Sequence, residues 1–460
     1  MQEFKGYHSE WNLGSPGGWD YQRLTQIIGK AIWQRLNEIH PMKLALDFDH
    51  PYFSPVTGFC DILVEAHQSH SGQNSGLIAV VAEEETLQDV TENINLARRL
   101  DAIDGISAAL MAPQELELNK GRVCWQGEPV SVMFMDFNTD VLLALHRKHD
   151  LSPVLQAVKE HRVINPRGTE PFNVKSMFEL LSGPKRDQFH SEIVQRTPWT
   201  RQFFYRKTDA FNGEIIDDLV DWTHRNWDNL VLKPARGYSG HGVRVGTVNH
   251  DVNEAIDLAL QAGDYIVQEK IPLSLWAEEI PRLEDQKICL KQYQTDFRCL
   301  MGPHGMIGFV GRYGGVPTNV GSGGGFQPLA ILRSDMLVAE AVDHINETIC
   351  QMDAGDLLQI VDAQKKMALD CDFTYLLGPV KIALRPRVIT AGQIEALENY
   401  GKKMWADSLT LESMWLTGQL NDLIRIEEEE LEIARMQPWQ GSAAIIASDG
   451  LFGFGAQPRD

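Results

Sequence analysis

The sequence predicts an α/β (α+β) chain with a helical C-terminal region, and three observations predict it. Residues 228–246 have the order strand, lysine, glycine-rich flap, second strand. Residues 77–135 follow a strand–helix–strand order that opens on the apolar run Leu77-Ile78-Ala79-Val80-Val81. Residues 334–351 and 390–431 carry helical patterns. A chain of 460 residues divides into roughly two to four domains and buries a large core.

Taken from the N-terminus, residues 21–39 form an amphipathic helix. Two strands are then expected across a Pro/Gly turn, at 43–49 and 61–67. Alternation along the second puts Glu65 and His67 on one face. Mg²⁺ takes hard oxygen ligands, so Glu65 with Asp47 or Asp49 makes a partial metal site, with His67 a poorer ligand beside them. The alternative for Glu65 is an ordinary solvent-facing strand residue, and for His67 a loop histidine. A polar loop at 67–75 leads to the α/β unit at 76–164, with a strand at 77–81, an amphipathic helix at 90–100 and strands near 121–123 and 130–135.

The flap segment carries the strongest signal. A short apolar run delivers Lys233, Gly237, Ser239, Gly240 and Gly242 follow, and Val243-Arg244-Val245 resumes strand alternation. A Walker loop or a dinucleotide fingerprint would instead run into a helix. Glycines joining two strands can close over a polyphosphate, giving backbone N–H groups at close range while Lys233 gives a point charge. An ordinary Gly-rich hairpin, with Lys233 as a flanking charge, is the alternative. Downstream, residues 264–272 form a β-rich run containing Gln268, Glu269 and Lys270. Asp296 and Arg298 share a strand face, and Arg312 on the returning strand is placed to converge with Arg298. The loop 318–325, which contains Asn319, is again glycine-rich. Two arginines and such a loop suit an anion that gains charge during reaction, unless the arginines are structural ion pairs.

This ordered set resembles the ATP-grasp superfamily over residues 160–330. Asn173-Val174-Lys175 before an apolar helix resembles the family's first phosphate-binding lysine, and Thr197-Pro198-Trp199-Thr200 its Pro-x-Thr turn. An acidic hairpin at the front of the chain resembles the circularly permuted branch, the glutathione synthetase and glutathionylspermidine synthetase-like carboxylate–amine ligases. The resemblance implies four regions. Residues 1–75 carry the helix and metal hairpin, 76–164 an inserted small α/β substrate domain, 165–335 the nucleotide-binding region, and 336–460 a helical C-terminal region. It also implies ATP and Mg²⁺ as cofactors. Lys175, Lys233, the flap (Gly237, Ser239, Gly240, Gly242) and Asn319 would hold phosphates, and Gln268, Glu269 and Lys270 the adenosine. Asp47, Asp49, Glu65 and His67 would hold the metal, with Arg298, Arg312 and Asp296 at the reacting group. The chain departs from the family's pattern in having no flap acid near Gly237 and His67 in place of an asparagine.

Under that resemblance a carboxylate attacks the γ-phosphorus, and an amine displaces phosphate from the acyl phosphate formed. The partners are small amino-acid or peptide-like acids and amines, and a homo-oligomer is admitted. A nucleotide-binding pseudo-enzyme or regulatory module and an ATP-grasp kinase are the competing functions. The 42 basic and 63 acidic residues, a formal −21, argue against nucleic-acid or anionic-membrane partners. No stretch approaches the roughly 18 apolar residues of a spanning helix. Six cysteines without CxxC spacing suit reduced thiols in a cytoplasmic protein. The tail, Ser448-Asp449-Gly450, either folds back to support residues 40–66 or leads into further sequence.

Overall fold

The computed structural model describes residues 6–71, 76–166, 173–237, 242–246, 251–271, 277–315, 318, 320, 323–375, 378–439 and 444–452. It is a mixed α/β structure in which three larger sheets meet. The central sheet runs Gly6–Asn12, Ile446–Phe452, Lys287–Gly302, Gly305–Gly314, Gly325–Phe326, Lys381–Ile382, and Ala277–Glu284 pairs with the outer half of Lys287–Gly302. The C-terminal strand therefore lies between the N-terminal strand and the arginine-bearing strand, antiparallel to both. The tail is expected from sequence either to support residues 40–66 or to lead into further sequence. It pairs with these two strands, not with residues 40–66. Ala444, Ile445, Ile446 and Ala447 are all buried there, so apolar burial anchors the strand.

The second sheet runs Arg244–Val245, Leu230–Pro234, Tyr265–Glu269, Thr200–Gln202. Helices Leu219–Arg225 and Val252–Ala262 cover it, closing Leu230, Leu232 and Val267 against Leu219, Ala255 and Ala259. Both helices start on an aspartate cap: Asp218 accepts from the N–H groups of Val220 and Asp221, and Asp251 from those of Asn253 and Glu254. The third sheet has the parallel order Ser107–Met111, Leu77–Val81, Glu128–Met135, Val163–Asn165, extended by Arg122–Trp125 and Glu117–Asn119. Every residue of Leu77–Val81 is buried, which is why that run is apolar without alternation.

Helices join these sheets. Trp19–Ile39 buries Leu24, Ile28, Ile32 and Leu36 on one stripe, and its Gly29 lies so close to Pro328 that a Cβ there would sit 2.2 Å from the ring. Ala391–Leu416 opens on a capping box between Thr390 and Gln393 and buries Ile394, Leu397, Tyr400 and Met404 against the central sheet. Among the described residues no helix is long and apolar enough to cross a membrane.

Two expected elements are corrected. Residues 61–67 are not a strand but the centre of helix Pro55–Ser71. Phe59, Ile62, Leu63, Ala66 and His67 are its buried face, spaced i, i+3, i+4, i+7, i+8. A seven-residue window sees only part of that stripe and mistakes it for alternation. Of residues 43–49 only Leu46–Asp47 is a strand, paired with Leu329–Leu332.

Candidate functional site

Alternation along Lys287–Gly302 sends Phe297 and Cys299 into the core, leaving Asp296 and Arg298 on the other face. Arg312 stands directly across from Asp296, and Asp449 directly across from Arg298. These four side chains close into a neutral quartet. Arg298 grips Asp449 through Nε–Oδ1 and Nη2–Oδ2, both 2.6 Å. Arg312 grips Asp296 at 2.7 and 2.8 Å and reaches Asp449 Oδ2 at 3.2 Å, while the Thr318 hydroxyl donates to Asp296 at 2.5 Å. Burial alone would raise the Asp449 pKa, but the two guanidiniums outweigh it and hold it at about 2. Burial likewise opposes the charge on Arg312, and Asp296 with Asp449 carries it above its ordinary range.

On the far side of Asp449 lies Glu10 of Gly6–Asn12, again directly opposite. The register shifts between His8 and Glu10, so Ser9 is the extra residue of a β-bulge. The bulge resets the alternation: His8 and Trp11 face the core, and Glu10 and Asn12 face a cavity. The following loop is pinned at several points. Leu13 N–H donates to Asn173, Asn165 donates to Gly14 O, and Ser15 donates to Met135 O. Gly17 O accepts from Arg298 Nη1 at 2.8 Å, and Glu92 accepts from the N–H groups of Gly18, Asp20 and Tyr21 at 2.8, 2.7 and 3.1 Å.

The expected lysines converge on this face. Lys175 Nζ donates to Gly237 O at 2.8 Å and lies 3.5 Å from Glu10, while its N–H donates to Ala235 O. Lys233 Nζ donates to Gln268 Oε1 at 2.7 Å, and Gln268 in turn donates to Thr200. Burial chiefly, with repulsion from Lys175 and against attraction from Glu10, lowers the Lys233 pKa to about 8. Gly242 has φ 74°, and a Cβ there would lie 2.7 Å from Tyr265 Oη, so only glycine fits. Gly237, at φ 127°, opens the flap. Ser239, Gly240 and Asn319 lie outside the described residues.

The strand expected to read adenine is more enclosed than foreseen. Tyr265–Glu269 is an interior strand, and the N–H groups of Glu269 and Lys270 donate to Trp199 O and Asn229 O at 2.8 Å each. The Glu269 carboxylate accepts from Trp199 N–H at 3.4 Å, and the Lys270 ammonium donates to Asp228 O.

The four residues expected to hold the metal do not assemble, because two of them sit on a helix. Asp47 pairs with Arg333 at 2.6 Å and Asp49 with Lys30 at 2.6 Å. Glu65 meets His304, on the turn of the arginine hairpin, at 2.8 Å. His67 is fully buried against Ser131, 2.6 Å from its hydroxyl. Among the described residues no group of three or more His, Cys, Asp or Glu side chains is placed to hold a metal. Glu10 and Asn12, which line the cavity, and Asp449, which faces Glu10 across the strand pair, are not among the site residues expected from sequence. Glu10 and Asn12 stand in the sequence as a literal Glu-x-Asn at 10–12, whereas Asp449 carries no such local pattern.

Part of this arrangement lines a cavity of 470 Å³. Glu10, Asn12, Lys175, Arg298 and Arg312 line one side. Glu83, Glu92, Asp136 and Asp140 line the other. Glu83 and Asp136 follow the carboxyl ends of Leu77–Val81 and Glu128–Met135, the adjacent parallel strands between which the sheet order reverses. Burial, reinforced by Glu83 and opposed by the Asn93 amide, raises the Asp136 pKa to about 6.

No protein-family model and no curated protein matches the sequence. Among solved structures, a glutathione synthetase-like effector from Globodera pallida in apo form is similar, with 12% identity, a TM-score of 0.38 and 68% of this chain covered. The match spans 64% of that effector's length. The macrocyclase MdnC of Microcystis aeruginosa MRC, solved with its precursor peptide MdnA, is similar at 12% identity and a TM-score of 0.31, over 63% of this chain and 84% of that one.

Proposed function

We propose that the chain is an ATP-dependent carboxylate–amine ligase of circularly permuted ATP-grasp architecture. The observation that carries the reading is one cavity lined by Glu10, Asn12, Lys175, Arg298 and Arg312, with Lys233 buried within electrostatic reach of Lys175 and Glu10, and with Asp449 and Asp296 holding the two arginines. The pairing of Gly6–Asn12 with Ile446–Phe452 supports permutation, since a hairpin cut at its turn leaves its two strands at opposite ends of the chain.

Mg²⁺ fits the residues present. Glu10, Asn12 and Asp449 offer only hard oxygens, Glu10 and Asp449 are cross-strand neighbours, and Asn12 shares the cavity face of Glu10. These residues would hold the ion, which supplies charge neutralisation to the phosphates when bound. The lysines bind and orient the triphosphate. An acid substrate's carboxylate oxygen attacks the γ-phosphorus and the bond to ADP breaks. An amine nitrogen then attacks the acyl carbon, phosphate leaves, and the amine gives up a proton. Arg298 and Arg312 face the charge that develops in these steps. The Asp136 carboxyl, raised to about 6, is suited to accept that proton, and with Glu83 and Asp140 it would recognise an ammonium.

A nucleotide-binding module without turnover is the second reading, and one observation favours it. Arg298 gives its Nε and Nη2 to Asp449 and its Nη1 to Gly17 O, so each of its three nitrogens already donates within the protein. Phosphate release from ATP, followed across panels of amino acids and amines, separates the readings. Release that needs both an acid and an amine supports the ligase. Binding without release under every pairing supports the module, and release with one substrate alone supports a kinase.

A further inference from the structure

Beneath the face that carries Glu10, Asn12 and Asp449 runs a buried chain of hydrogen bonds that the proposed reaction does not use. His8 Nε2 lies 2.7 Å from Thr197 Oγ1 and His8 Nδ1 2.8 Å from Tyr400 Oη, which lies 2.8 Å from Ser448 Oγ. His8, Tyr400 and Ser448 are fully buried. The Thr197 hydroxyl donates to Ile193 O at 2.9 Å, so its oxygen is left to accept from His8 Nε2–H. The fully buried ring is read as the neutral tautomer with its proton on Nε2. Nδ1 must then accept from the Tyr400 hydroxyl, and Tyr400 Oη from Ser448. Every proton in the chain has one direction.

The four members come from four elements. Thr197 leads into Thr200–Gln202 of the flap sheet, and His8 precedes the bulge at Ser9. Tyr400 stands on the long helix Ala391–Leu416, and Ser448 is the residue before Asp449. Shifting Gly6–Asn12 by one residue against Ile446–Phe452 would exchange the faces of Glu10 and Trp11. Bonding between Tyr400, His8 and Ser448 opposes that slip, because it fixes one residue on each strand to the same phenol.

We infer that Thr197, His8, Tyr400 and Ser448 are positioning residues that hold the bulged strand pair in the register placing Glu10, Asn12 and Asp449 around a divalent cation. The inference rests on the proposed function, and its test separates the two. Mn²⁺ binding to the full chain is measured by electron paramagnetic resonance with a non-hydrolysable ATP analogue, alongside analogue affinity without metal and the melting temperature. Tyr400→Phe keeps the ring and breaks its hydroxyl contacts to His8 and Ser448, and Ser448→Ala removes the second of these. A Tyr400→Phe protein that stays folded should bind Mn²⁺ about 10- to 100-fold more weakly, the range seen when outer partners of metal ligands are removed. Its metal-free analogue affinity should be unchanged. Wild-type Mn²⁺ affinity in a folded Tyr400→Phe protein overturns the inference and leaves the proposed function standing. If Tyr400→Phe does not fold, Ser448→Ala decides by the same measure. A wild-type chain that binds neither analogue nor Mn²⁺ overturns the proposed function, and the inference falls with it.

Discussion

Replacing Asp449 by asparagine keeps the shape of the quartet and removes one of its two negative charges. In the native protein Asp449 faces Arg298 at 2.6 Å and Arg312 at 3.2 Å. The substituted amide would turn an N–H2 group toward a guanidinium and leave two buried arginines sharing Asp296. The Asp449 pKa falls from 3.8 to about 2, which corresponds to roughly 2 kcal/mol of stability at neutral pH. Breaking a buried pair by removing one partner costs about 3–5 kcal/mol, the larger figure including the uncompensated arginine. The pKa is depressed on folding, so this stability is fully present above the unfolded value near 3.8 and is lost as pH falls through 2. Urea unfolding of wild type and Asp449→Asn, compared from about pH 7 down to about pH 2.5, should show a gap of about 3–5 kcal/mol at neutral pH that narrows below about pH 4. Equal midpoints at neutral pH, or a gap that stays constant down to the acid limit, would refute the quartet as a buried ionic unit. The measurement needs no substrate.

Three further outcomes are expected. Lys233→Ala should weaken binding of an ATP analogue by about 10- to 150-fold in calorimetric titration at neutral pH, the loss of a charge-assisted phosphate contact of roughly 1.5–3 kcal/mol. Because burial lowers the Lys233 pKa to about 8, wild-type affinity should fall as pH rises from about 7 to about 9 while the variant's changes little, and parallel profiles would remove Lys233 from the phosphate site. Glu10→Ala should abolish Mn²⁺ binding to the analogue complex and Glu65→Ala should leave it intact, with the reverse result restoring the Pro55–Ser71 helix as the metal element. Arg298→Ala or Arg312→Ala should lower turnover by about 10²–10³ with analogue affinity nearly unchanged, read by steady-state kinetics once a productive acid and amine are known; unchanged turnover in both makes the arginines structural.

Much of the site was legible because its signals are short. The run Leu230–Pro234 ending at Lys233, the glycines at 237 and 242, and the Asp296/Arg298/Arg312 hairpin each depend on neighbours close along the chain. Their convergence was legible in part. Lys175 lies close enough to help lower the Lys233 pKa, and Arg298 and Arg312 meet at a common carboxylate. That carboxylate, Asp449, was seen in the sequence only as part of a tail. The helix at Pro55–Ser71 was missed for a different reason: Glu65 and His67 are two residues apart, and period 2 over so short a window does not exclude period 3.6. Extending the window to Phe59 resolves it.

Local periodicity, caps and glycine positions therefore determined, from sequence alone, the flap strand, the arginine hairpin, the buried run Leu77–Val81 and the long C-terminal helix. The pattern of each is written along the segment that folds. Tertiary structure alone decided that Gly6–Asn12 lies beside Ile446–Phe452, that Ser9 bulges, and that Glu10 and Asn12 therefore turn toward the cavity beside Asp449. Strand pairing is made by backbone hydrogen bonds that any sequence offers, so nothing local names the partner. The choice is made by what the pairing buries: His8 against Tyr400 and Ser448 beneath, with Ile446 and Ala447 in the core alongside.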